Sequence, residues 1–107
     1  MAGTVNDGQV RSAANLVVLA GADNVGIALT DIAAGDTART LDGVALIAQD
    51  AIPQGHKIAL RPIYQGADVM RFGMPVGLAR ADIAVGRLVH VHNVASRYLD
   101  NNEDHYE

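Results

Sequence analysis

Four copies of a short motif, Ile-x-x-Gly, frame this chain: Ile32-Ala33-Ala34-Gly35, Ile52-Pro53-Gln54-Gly55, Ile63-Tyr64-Gln65-Gly66 and Ile83-Ala84-Val85-Gly86. The isoleucines are spaced by 20, 11 and 20 residues, and Asp31 and Asp82 precede the first and last of them. Glycine suits a turn position with positive φ, and the isoleucine before it is placed to plug a core. A chain that turns this often has little room for helices. Strands are expected at Leu16–Leu19, Val25–Leu29, Val44–Ala48, Lys57–Leu60, Val69–Phe72, Val76–Ala79 and Leu88–Val91. They are short, closely spaced and bounded by Gly, Asp or Pro, the pattern of a mostly β domain. Pro53, Pro62 and Pro75 are expected at strand edges and turns. The Ala-rich stretch Asn24–Ala33 invites a helix, but Gly26 and Gly35 weaken it.

At 107 residues the chain makes one domain. Residues 1–14 read as a flexible lead-in, 15–99 as the folded body, and 100–107 as a disordered acidic tail that gives His105 no role. Only four residues are aromatic and there is no Trp, so the core rests on Val, Ile, Leu and Ala. Packing against a partner, a second copy included, would supplement so modest a core. The net charge of −4 belongs to the tail, because residues 1–99 carry eight acids against eight bases. A neutral body argues against nucleic acid as the main partner. No apolar run approaches the ~20 residues of a membrane span, and the first residues lack a secretory pattern. A cytoplasmic protein without membrane contact is expected. Absence of cysteine excludes disulfides and thiolate metal sites.

Three of the four histidines and the single lysine fall in two runs, Gly55-His56-Lys57-Ile58-Ala59-Leu60 and His90-Val91-His92-Asn93. If the second run is a strand, His90 and His92 share a face and offer two nitrogen ligands or two polar groups. The blander alternative is two histidines bonded to backbone or solvent at a sheet end. By the same alternation His56, Ile58 and Leu60 share one face, while Lys57, Ala59 and Arg61 share the other. Lys57 and Arg61 would then form a cationic face able to hold a carboxylate, or simply one that water solvates. The chain uses seven arginines and one lysine, and an ammonium shifts its pKa far more readily than a guanidinium. His56, His90 and His92 are expected to converge at one end of the fold with Lys57 at the rim. Three imidazoles would leave an open position on a metal. The body contains no glutamate, serine occurs in the chain only at Ser12 and Ser96, and no phosphate loop is present. A complete active site is hard to build from this inventory.

In order, the runs Asp23-Asn24-Val25-Gly26-Ile27-Ala28-Leu29, Asp31-Ile32-Ala33-Ala34-Gly35, Ile52 to Leu60, Arg71-Phe72-Gly73-Met74-Pro75-Val76-Gly77 and His90-Val91-His92-Asn93 resemble the SAF domain of altronate and galactarate dehydratases. A stand-alone version is the small subunit of two-part relatives such as sulfolactate sulfo-lyase. The resemblance implies a β-clip fold of short strands and a part in eliminating water, or sulfite, from a hydroxylated acid. It also implies a large catalytic region or subunit as partner. His56, Lys57, His90 and His92 are then expected to be catalytic, and Lys57, Arg61 and Asn93 to bind the sugar-acid or hydroxy-acid substrate. His56, His90 and His92 become candidate ligands of a divalent metal (iron, manganese or magnesium) in the complete complex. Two alternatives stay open: a non-catalytic module that binds a sugar acid or docks, and a fragment of a longer dehydratase.

Overall fold

The glycine of every Ile-x-x-Gly turn has positive φ: +92° at Gly35, +84° at Gly55, +85° at Gly66 and +87° at Gly86. The four isoleucines are at most 3% exposed and pair two by two in antiparallel bridges, Ile32 with Ile52 and Ile63 with Ile83. The computed structural model describes residues 13–90 and 92–96. Most of the lead-in and all of the acidic tail lie outside the described residues.

Nine strands and no helix occur among the described residues. They are β1 (Leu16–Val17), β2 (Val25–Ala28), β3 (Thr37–Arg39), β4 (Ala45–Ile47), β5 (Lys57–Ala59), β6 (Asp68–Arg71), β7 (Met74–Ala79), β8 (Leu88–Val89) and β9 (Val94–Ser96). A central antiparallel sheet runs β1-β2-β5-β8, and each bridged pair of isoleucines closes off an excursion from it. The first excursion carries the β3–β4 hairpin; the second carries β6–β7, with β9 added against β7. Leu16, Ala28 and Ile58, on one face of the sheet, pack with Ile32, Ala38, Ala48 and Ile52 of the first excursion. Val25, Ala59 and Val89, on the other face, pack with Ile63, Val69, Ala79 and Ile83 of the second. The sheet is therefore covered on both sides.

These two cores are copies of each other. Ala28, Ile32, Ala38, Ala48, Ile52 and Ile58 recur 31 residues later as Ala59, Ile63, Val69, Ala79, Ile83 and Val89. Hydrogen bonds follow the same shift: Gly35 N–H donates to the Ala48 carbonyl, and Gly66 N–H to that of Ala79. An asparagine staples each hairpin. The Asn15 amide donates to the Thr37 carbonyl and accepts from Arg39 N–H; that of Asn24 donates to Asp68 and accepts from Met70. Each such bond contributes about 1 kcal/mol net and spares a strand edge an unmet polar group.

The expected strand positions hold in the main, with three differences. Strands β3 and β9 were not expected, since Thr37-Ala38-Arg39 has little strand character and is extended by pairing with β4 and by the Asn15 staple. Pro75 lies inside β7, where the register shifts beside Val69 and Met70, and a bulge is a position where a sheet tolerates proline. Finally, β8 ends at Val89. The expected strand over His90 and His92 is instead a turn, with Val91 outside the described residues.

Candidate functional site

Register builds the first part of the site. Lys57 pairs with Val89 across β5 and β8, so the residue before β5 and the residue after β8 meet at one end of the sheet. Those residues are His56 and His90. Their rings stack with centroids 4.9 Å apart and planes 25° from parallel. His56 follows the positive-φ Gly55; its N–H donates to the Pro53 carbonyl and its own carbonyl accepts from Ala28. The ring is half-buried, with Nδ1 3.4 Å from the Gln54 carbonyl, whereas His90 is exposed.

Asn93 explains why the chain turns after β8. Its side chain accepts His90 N–H at 2.9 Å and donates to the Leu88 carbonyl at 2.8 Å, while its backbone N–H donates to the His90 carbonyl. This local side-chain bonding competes with the ladder and wins. The alternation argument that put His90 and His92 on one face therefore fails: His92 sits inside the turn. It lines an open cavity of ≈ 370 Å³ with Asp82, Arg87 and Asn93. The Arg87 guanidinium is paired with Asp50, Nε to Oδ2 at 2.9 Å.

Lys57 stands next to His56 but on the other face of β5, the Ala59 side. It is half-buried there. Burial holds its ammonium below the ordinary lysine range, and the nearby Arg71 guanidinium adds to the effect. The expected Lys57–Arg61 cationic face does not form. Arg61 lies past the opposite end of β5, about 13 Å along an extended chain, beside Asp23, Asp42 and Leu60. The second cation beside Lys57 is Arg71, which only the docking of β6 on β2 reveals. No local spacing in the sequence announces that contact.

A desolvated lysine with no ion pair among the described residues costs stability. Because its folded-state pKa is lowered, the unfolded chain binds more protons between that value and 10.5, so stability rises with pH across that window. Lys57→Met keeps the stem and removes the charge. Its melting temperature at neutral pH is expected to match or exceed the parent's, with a flatter alkaline limb, read by scanning calorimetry. A clear drop would mean the ammonium is held by a bond.

The structure thus brings His56 and His90 together, sets Lys57 next along β5 but on its other face with Arg71 nearby, and places His92 and Asn93 in the following turn. Among the described residues no three of His, Asp and Glu are grouped to hold a metal ion. Stacked rings present faces to each other, with their lone pairs at the edges. Imidazole rings can accept or donate a proton, and on the other face of β5 the Lys57–Arg71 cationic pair is suited to a carboxylate.

With that geometry in view, a family model described as the altronate/galactarate dehydratase SAF domain matches residues 14–97. The chain is similar to the altronate dehydratase of Escherichia coli (strain K12), 40% identical over 85 residues, which cover 79% of this chain and 17% of that protein. The altronate dehydratase of Bacillus subtilis (strain 168) is 40% identical over 78 residues, 73% of this chain and 16% of that protein. The (2R)-sulfolactate sulfo-lyase subunit alpha of Chromohalobacter salexigens is 39% identical over 49 residues, 46% of this chain and 52% of that subunit. The chain therefore spans about a sixth of the length of the dehydratases it matches. No helix among the described residues is long and apolar enough to cross a membrane.

Proposed function

The chain belongs to the altronate/galactarate dehydratase SAF-domain family, and from that premise we propose that it is the small subunit of a sugar-acid dehydratase. In this reading it completes an active site whose remaining groups come from a separate catalytic subunit. The stacked pair His56–His90 at the end of the sheet is the observation that carries the proposal.

Dehydration of a polyhydroxy acid removes the proton α to the carboxylate and expels the β-hydroxyl as water. Lys57 and Arg71 supply positive charge for the carboxylate, whose charge grows as the α-proton leaves. One imidazole of the pair accepts a proton and the other donates one to the departing hydroxyl. Partly exposed rings at a sheet end fit a wall of a site that a second surface closes. His92 and Asn93, in the adjoining turn, border the same opening in this reading, and Asn93 holds the turn that sets His90.

A second reading takes sulfite as the leaving group. It is favoured by the similarity to sulfo-lyase subunits alpha, of which the match covers 52% and 78%, a far larger share than for the dehydratases. In both readings turnover requires two polypeptides. The purified chain and a catalytic subunit are each expected to be inactive alone and active when mixed, assayed for water loss from altronate and galactarate and for sulfite release from sulfolactate. Full turnover by either polypeptide alone would overturn the proposal.

A further inference from the structure

The duplication leaves an asymmetry at one strand edge. In the second repeat β7 has a neighbour on each side, β6 and β9, but in the first β4 has only β3. Residues Leu46, Ile47 and Ala48 correspond, 31 positions on, to Gly77, Leu78 and Ala79, which pair with Ser96, Ala95 and Val94. The position β9 fills against β7 has no described strand against β4.

Backbone parity shows which groups that edge presents. Asn15 bonds the Thr37 carbonyl and the Arg39 N–H, so residues 37 and 39 point away from β4. Their cross-strand partners Ile47 and Ala45 therefore point away from β3. Beyond the hairpin the Gln49 N–H reaches the Gly86 carbonyl at 2.8 Å. Gly86 crowds the Ile47 carbonyl so closely that a Cβ there would lie 2.3 Å from its oxygen. The turn thus closes the far end of the edge and leaves Ala45, with the Ile47 N–H, without a strand against them among the described residues.

Exposed edges are usually blunted by charge, proline or a bulge. This one has none of these: Gly43 to Gln49 carries no charge, and Val44 and Ile47 are 44% and 48% exposed. We propose that β4 pairs antiparallel with β4 of a second copy about a two-fold axis at Ala45, joining the two hairpins into one four-stranded sheet. Each Ala45 N–H then donates to the other copy's Ala45 carbonyl, and each Val44 lies across from the other copy's Leu46. A second copy suits this edge because two identical uncharged strands meet without like-charge opposition, and one patch serves both sides. Among the described residues, β9 is already committed to β7, and Asn15 enters along the opposite, β3 edge.

Light scattering and sedimentation of the full chain over a range of concentrations provide the test. A dimer is expected. Ala45→Pro removes an N–H that makes no bond to β3, and Ile47→Lys places a charge on the edge. Each is expected to weaken the dimer by about tenfold or more while the circular dichroism spectrum keeps its parent form. If Ala45→Pro fails to fold, Ile47→Lys alone decides. A monomer at every concentration, or a dimer that folded variants leave intact, would overturn the proposal. A monomeric chain whose variants lose binding to a separate catalytic subunit would also overturn it, by giving the edge to that partner.

Discussion

Asp23→Ala is expected to lower the unfolding free energy by about 3–5 kcal/mol, the largest loss from any single polar substitution among the described residues. Asp23 is only 2% exposed, yet three backbone donors converge on its carboxylate. Ala20 N–H and Phe72 N–H reach Oδ2 at 3.1 and 2.8 Å, and Gly73 N–H reaches Oδ1 at 2.8 Å. Phe72 and Gly73 form the two-residue loop between β6 and β7, with φ of +56° and +73°, the pattern of a type I′ hairpin. A phenylalanine held in the left-handed region costs about 1–3 kcal/mol, and the carboxylate is what holds it. Alanine would leave three donors unmet and the loop unpinned; asparagine would face at least one donor with its own amide hydrogens.

The same residue sets an acid limit. Burial alone would raise the Asp23 pKa, but the hydrogen bonds from the Gly73, Phe72 and Ala20 N–H groups, with a smaller pull from that of Leu19, outweigh it and bring the group below its ordinary 3.8. A carboxyl depressed in the folded state contributes stability that is fully present above the unfolded value and is lost as pH falls through the folded one. Urea melts of the parent and Asp23→Ala should therefore differ most near neutrality and converge in acid. A variant within 1 kcal/mol of the parent at pH 7, roughly the worth of one ordinary hydrogen bond, would refute the latch.

Turnover in the reconstituted complex is expected to fall about 10²–10⁴-fold in kcat when His56 is replaced by alanine. His90→Ala is expected to behave alike, and the double variant to lose little more than either single one, because the rings act as a unit. Thermal stability should barely change, since the stack sits at the sheet end with His90 exposed. Stopped assays at saturating substrate, with binding of the catalytic subunit measured in parallel, separate the possibilities. If the double variant binds the subunit and retains full kcat, the chain is a docking module and its imidazoles stand outside the chemistry.

How much of this was legible beforehand depends on the range of the interaction concerned. The Ile-x-x-Gly turns were readable because a positive-φ glycine is a local requirement, and the apolar runs gave seven of the strands. The extended conformation of Thr37–Arg39 was not readable, since it is imposed by β4 and by Asn15, 22 positions before Thr37. The His90–Asn93 turn was misread as strand because the Val-rich run carried strand propensity, while the Asn93 side chain that breaks the ladder looked like a ligand-binding group. The meeting of His56 and His90 was expected as part of a cluster, though only the β5–β8 register accounts for it. Even the repeat was in plain view. Each adjacent pair of intervals in the 20–11–20 spacing adds to 31, and the asparagines at 15 and 24 fall outside that step.

That doubled design also governs the order in which the chain becomes whole during synthesis. The last fully buried residue of the first core, Ile58, comes from β5, so its buried residues are all present when little more than half of the polypeptide has emerged, and Leu88 of β8 packs on them later. At that moment β2 and β5 still show Val25 and Ala59 to water, and they stay so until Val69, Ala79 and Val89 arrive. Asn24 meanwhile waits for Met70, 46 positions downstream. Pairings across such separations are slow to form, and the half-made sheet is the species a chaperone would meet.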